Sequence, residues 1–389
     1  MKKALPIVII FLLLFSILFS GCEDTVKEDQ NDDYFEDDFD EDDGIDDGGE
    51  DNGSSVPDYT ELSITDLPSE VRLDVPTRRN VAGFCYLESY SMMLAFFDNG
   101  IDTPEVFASA GMGAPVFCDP YSKSLHLMES YTVDAHVTSM NNFNISWVVG
   151  YAQGGNHGTY LNGAVGKLIY SSDEALSYLK AVLHSGQPVQ VHLDLYYLEG
   201  YNQKFQDASV GSSHFMVVTG YDDTNIYFSD THLGDAPNDQ FTDMAVPVET
   251  FLSAWEHGGD IGEGFELQTG PYWMLFFTST VISDLNSPSF TDIVSLQKSL
   301  SEQIEENIDT YISKIETGEY DTADTKWGYI ANMKQLFAEY LREHGYDEAA
   351  DAYDTLYNDY QSCQNNQDEI IDILNIIKTN EINARNLLI

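Results

Sequence analysis

Cys85, His214 and Asp230 combine the residue types of thiol catalysis in an order that a fold can bring together. A thiolate is the nucleophilic form of cysteine, and a helix N-terminus favours it through unpaired N–H groups and a positive dipole. Cys85 stands at such a place. Leu87, Tyr90, Met93, Leu94 and Phe97 recur behind it at helical spacing, and Asn99-Gly100 closes the run. A thiol nucleophile also needs a base, and the base needs an orienting group. His214 heads an apolar run that ends at Tyr221, and Asp230 ends the run that begins at Ile226. The polar turn Asp222-Asp223-Thr224-Asn225 joins the two runs in a hairpin whose open end carries His and Asp side by side. A lone Cys on an apolar helix is more often a core residue, and a lone His on a strand is more often structural. The ordered set of three points instead to a Cys–His–Asp triad.

Elements with clear local grammar surround these residues. Ser171-Ser172-Asp173-Glu174 is a capping box for a helix with Leu176, Leu179, Val182 and Leu183 on one face, closed by Gly186 and Pro188. Val189, Val191, Leu193 and Leu195 alternate as a strand, a loop runs from Glu199 to Gly211, and the His214 strand follows. Tyr272 to Thr280 reads as one more strand. The expected fold class is α+β, with the Cys85 helix packed on an antiparallel sheet. Residues 101–170 are Gly-rich and aromatic, and Gly111-Met112-Gly113-Ala114-Pro115 reads as a tight turn or substrate-side loop. Neither it nor Gly154-Gly155-Asn156-His157-Gly158 has a phosphate-binding spacing. From residue 291 Gly and Pro become scarce, and helices are expected over 292–316, 323–344, 347–362 and 366–387.

The first 22 residues are not part of the fold. Lys2 and Lys3 precede an apolar run from Ala4 to Phe19, then Ser20, Gly21 and Cys22. This is an export signal, and Leu18-Phe19-Ser20-Gly21-Cys22 resembles a prokaryotic lipobox with a lipid on Cys22. An uncleaved anchor helix is the alternative. Residues 23–51 then hold 17 acidic side chains against one lysine, a density that extends the chain as a solvated tether. Gly44 and Gly48 do not fall in the register of an EF-hand loop. Localisation is therefore expected at the cell surface or in the periplasm, with the membrane as a partner through the lipid on Cys22. Across all 389 residues the formal net charge is −49, which argues against nucleic acid as a partner. Hydrophobic residues at 43% are enough to fill a core.

Apart from Cys22, three cysteines remain: Cys85, Cys118 and Cys363. At least one must stay unpaired within the chain, and Cys118 could pair with Cys363 or with Cys85. No spacing suits a structural zinc. His192 and Asp194, two apart on one strand face, could hold a metal, with placement in the core or at the surface as the alternative. No cofactor and no metal is expected.

Residues 83–97 and 171–232 resemble the papain-like fold of the bacteriocin-processing, double-glycine-leader peptidases. The resemblance rests on the Cys85 to Phe97 helix, Gly186-Gln187-Pro188-Val189, the block His214 to Asp222, and Phe228-Ser229-Asp230. Asp194-Leu195-Tyr196-Tyr197-Leu198, the Gly-Met-Gly loop and the stretch Lys334 to Gln361 are also similar to the N-terminal domain family of butirosin biosynthesis protein H, an acyltransferase. The peptidase resemblance implies a Gln six residues before the Cys as an oxyanion donor; here that place holds Arg79, followed by Asn80. Asn80 is thus the candidate second donor beside the Cys85 backbone N–H. Tyr86-Leu87 replace the usual Gly-Pro, and Glu88 occupies a normally small site.

The chain is accordingly read as a lipoprotein signal peptide over 1–21, an acidic disordered tether over 22–60, a papain-like cysteine peptidase-like domain over 61–285, and a helical appendage over 286–389. The expected function is that of an exported, membrane-tethered thiol hydrolase cleaving a peptide or amide bond. The alternatives are an acyltransferase of the butirosin protein H type and a non-catalytic surface binding module.

Overall fold

The computed structural model describes residues 62–388 apart from 80, 82–83, 120–122, 128–132, 153–164, 199–212, 231–240, 259–269, 279–284 and 286. All described residues fall in one compact unit. In chain order the elements are β1 (Val71–Arg72), α1 (Cys85–Phe97), α2 (Thr103–Ser109), β2 (Phe117–Asp119), β3 (Ser124–His126), α3 (Val133–Asn142), β4 (Trp147–Ala152), β5 (Val165–Ile169) and α4 (Ser172–His184). They continue with β6 (Val189–Asp194), β7 (Ser213–Tyr221), β8 (Asn225–Asp230), β9 (Phe241–Pro247), α5 (Val248–Glu256) and β10 (Met274–Phe277). Five helices end the chain: α6 (Phe290–Leu300), α7 (Ile304–Glu316), α8 (Trp327–Glu343), α9 (Asp347–Asn365) and α10 (Ile370–Leu387).

The fold is α+β. The main sheet runs β5-β4-β10-β6-β7-β8-β9, and β1 pairs with β7 off this path. Every pairing is antiparallel except β4 with β5. The strand expected near Tyr272 is β10, and it sits inside the sheet, joining β4 to β6. All six residues of β6 and all four of β10 are buried, as a strand covered on both faces requires. Residues 101–170, where only loops stood out in the sequence, contain α2, α3 and β2 to β5.

Local signals hold where they are strong. Ser171 accepts from Glu174 N at 3.2 Å as the N-cap of α4, and Gly186 follows with φ +88. The run Val189 to Leu195 ends as a strand at Asp194, whose carboxylate caps a short 3-10 turn over Leu195–Tyr197 by accepting from Tyr196 N at 2.9 Å. Helix α1 departs from expectation. It is buried on every side from Tyr86 to Ala95, not along one stripe, so its face pattern is weak.

The C-terminal helices also differ from the expected boundaries. The stretch 292–316 is two helices, broken after Leu300. Arg385 on α10 donates from Nη1 to Ser301 O and Glu302 O at 3.2 Å each, satisfying the carbonyls that the break frees. These helices share one apolar core with the sheet domain. The buried Gln297 on α6 accepts from Gly113 N at 3.1 Å and Ala114 N at 2.7 Å, and donates to Ala108 O at 2.6 Å. A Cβ on Gly113 would stand 2.4 Å from Phe337 on α8, and one on Gly111, at φ +81, 2.6 Å from Leu300. The Gly-Met-Gly loop is therefore a bed for helices, not a substrate-side loop.

Candidate active site

Helix α1 begins at Cys85, which is half-buried, and no side chain caps its N-terminus. Phe84 is the N-cap and is fully buried. Its carbonyl accepts from Leu87 N and Glu88 N at 3.0 Å, and its own N–H donates to Val81 O at 3.1 Å. The Glu88 carboxylate, itself buried, accepts from Val81 N. Glu88 thus ties the chain entering the helix to the helix's first turn.

The first turn is also fixed from below. Ser89 Oγ donates to Cys85 O at 2.7 Å. Gln190 on β6 donates from Nε2 to Tyr86 O at 2.7 Å and to Ser89 Oγ at 2.6 Å. His136 on α3 places Nε2 2.8 Å from Tyr86 O, where the ring N–H donates. Burial lowers the His136 pKa to about 4, outweighing that bond, so the ring is neutral. Sequence reasoning missed Glu88, Ser89, His136 and Gln190 as supports. The one available signal was polar residues inside apolar runs, which does not name their partners.

His214 is the second residue of β7 and Asp230 the last of β8, as the hairpin pattern requires. Asp222 Oδ1 accepts from Thr224 N and Asn225 N at 2.7 Å each, closing the turn between them. His214 Nε2 donates to Asp230 Oδ2 at 2.6 Å, with both side chains at or below 5% exposure. The Cys85 side chain hydrogen-bonds to His214, which leaves Nδ1 as the ring nitrogen for the sulfur. Burial alone would lower the His214 pKa. The charges of Asp230 and Cys85 and the bonds to both outweigh it, and the pKa lies well above 6.5. The three residues thus lie in one connected arrangement in which the imidazolium is favoured.

The other candidates lie elsewhere. The His192 ring stacks on Phe215 at 4.2 Å and contacts Ser213 Oγ, and burial followed by the nearby His214 lowers its pKa to about 3. Asp194 is occupied in capping the 3-10 turn, so both residues have structural partners. Cys85, Cys118 and Cys363 are all free thiols, so neither considered disulfide forms. Cys118 hydrogen-bonds with Tyr320, and Cys363 is buried in α9 with its pKa pushed up to about 12 by burial. Arg79 donates to Glu339 Oε2 on α8 at 2.6 Å. Asn80 and Cys22 lie outside the described residues.

A cysteine at the uncapped start of a buried helix, set against a His–Asp pair on an antiparallel sheet, defines the papain-like class of cysteine peptidase fold. The chain belongs to the Peptidase_C39-like family, whose model matches residues 65–262. That span includes Cys85, His214 and Asp230, and it excludes β10 and all five C-terminal helices. The finer resemblance to the butirosin protein H domain has no support in this match. No curated protein matches the chain.

Proposed function

We propose that the protein is an exported, membrane-tethered thiol hydrolase that cleaves a peptide or amide bond through Cys85, His214 and Asp230. The observation that carries this reading is the buried 2.6 Å contact between His214 and Asp230, with Cys85 bonded to the same ring. Cys85 sulfur, as thiolate, attacks the carbonyl carbon and a C–S bond forms. The backbone N–H of Cys85 is one donor to the oxyanion, and Asn80 is the proposed second. His214 returns its proton to the leaving amine, and the C–N bond breaks. Water, deprotonated by His214, then releases the acyl group from sulfur. Asp230 holds the ring's orientation and charge. The leader and Cys22 support export and lipid tethering, and the acidic segment between supports a spacer role.

The first test is the rate of Cys85 alkylation by iodoacetamide against pH, with His214→Ala as control and mass mapping to separate Cys118 and Cys363. Fast labelling at about pH 6 that falls at least about tenfold in His214→Ala is the expected result. Slow labelling indifferent to His214 would leave a non-catalytic binding module. Peptide substrates offered with and without an amine acceptor then separate hydrolysis from acyl transfer. Radiolabelled lipid on the wild type but not on Cys22→Ala checks the tether.

A further inference from the structure

The nucleophile's approach is held from outside the family-matched residues. Arg79, six residues before Cys85, is ion-paired at 2.6 Å with Glu339 on α8. Phe84, the residue before Cys85, sets its ring edge-on to Tyr329 on the same helix, with centroids 5.7 Å apart and planes at 64°. A second edge-on contact joins the Phe84 ring to Phe107 on α2 at 5.7 Å and 73°. Helix α8 is itself seated on the bed after α2. Phe337 fills the space above Gly113, and Lys334 Nζ donates to Ala114 O at 2.7 Å. No side chain caps α1, and the local contacts of Glu88 and Ser89 bear on Val81 and on the Cys85 carbonyl. The ring packing of Phe84 on α8 and α2 is the contact that reaches the residue before Cys85 from distant elements.

We propose that α8 positions the nucleophile, with Tyr329 and Glu339 as positioning residues that hold Phe84 and Arg79 and so set the direction in which Cys85 presents its sulfur to His214. The C-terminal helices are then part of the catalytic apparatus, not a separable appendage. This role rests on the triad proposed above. Tyr329 acts through Phe84 and Glu339 through Arg79.

The test uses the whole chain and a neutral alkylating reagent. The ratio of Cys85 labelling rates at about pH 6 and about pH 9 reads the coupling of the thiol to His214, with accessibility divided out. Urea midpoints are recorded for every variant. Tyr329→Ala is expected to lower the ratio about fivefold, and Tyr329→Phe, which keeps the ring, to leave it unchanged. Arg79→Glu is expected to lower it about threefold, the scale of an exposed ion pair. Glu339→Arg added to Arg79→Glu is expected to restore it. A direct effect of charge at position 79 predicts no restoration, so a swap that fails to recover the ratio overturns the proposal. So does a His214-dependent ratio that neither Tyr329→Ala nor Arg79→Glu moves. If Tyr329→Ala does not fold, the charge swap decides alone. A wild-type ratio indifferent to His214→Ala sinks the triad and the positioning role with it.

Discussion

Lys334 is expected to be among the most costly single positions to change. Its Nζ lies 2.7 Å from Glu381 Oε1, with the side chains 0% and 1% exposed. Nζ also donates to Ala114 O at 2.7 Å, and Tyr360 OH donates to Glu381 Oε1 at 2.8 Å. At that separation the attraction is about 6 kcal/mol for an effective dielectric near 20. Desolvating the two ions costs several kcal/mol each, so the intact pair contributes little net stability. Burial lowers the Lys334 pKa and raises that of Glu381, with each partner opposing the other's shift, as this balance requires. Lys334→Met leaves the carboxylate without its cation and the Ala114 carbonyl without its donor. The expected cost is about 4 kcal/mol. Lys334→Met combined with Glu381→Leu removes both charges, and its expected stability is within about 1 kcal/mol of wild type. Urea unfolding followed by far-UV circular dichroism and tryptophan fluorescence measures the wild type, Lys334→Met, Glu381→Leu and the double variant. The coupling between the two sites should therefore be about 3 kcal/mol or more. Additive costs in the double variant, or a Lys334→Met cost below about 1 kcal/mol, would refute mutual compensation as the reason this pair is buried.

Three further outcomes are expected. Asp230→Asn, which keeps the shape but removes the charge 2.6 Å from His214 Nε2, should lower turnover at least about 10²-fold while the folded structure persists, read by peptide hydrolysis and circular dichroism. Burial depresses His136 and His192 to about 4 and about 3 from an ordinary 6.5, so each takes up a proton on unfolding. Their stabilisation is full above 6.5 and is lost as pH falls towards the folded values, about 2 kcal/mol from each at about pH 5. His136→Gln should flatten the fall in unfolding free energy from urea titrations between about pH 7 and pH 5 by that amount. His214 works in the opposite direction: its raised pKa adds stability that is full below 6.5 and is lost as pH rises through the folded value. Finally, Gly113→Ala drives a Cβ to 2.4 Å from the Phe337 ring and should cost about 2 kcal/mol or more, whereas Gly186→Ala meets no atom within 4 Å and should cost about 1 kcal/mol through its φ of +88 alone. Thermal melts of the two variants distinguish crowding from backbone strain.

The parts legible in the sequence are those that short stretches decide. Capping chemistry at Ser171 and Glu174, glycine at 186 and 345, and the polar turn after Tyr221 act over a few residues, and each element forms where those signals stand. The Cys85 helix start and the His214–Asp230 hairpin are local in the same sense, so the sequence pattern alone places these three candidate residues on a helix start and a hairpin end. What the tertiary structure alone decided are meetings across long separations. Gln190 reaches Tyr86 over 104 residues, and Arg79 reaches Glu339 over 260. The carbonyls at the break between α6 and α7 are met by Arg385, more than 80 residues away. The glycines of the 111–113 loop have the same sequence appearance as those of a mobile loop, and only the approach of Leu300 and Phe337 shows that they make room for helices. Periodicity and propensity record how a segment satisfies its own backbone. They carry no record of which distant side chain fills the space above it, and that pairing is what seats Cys85.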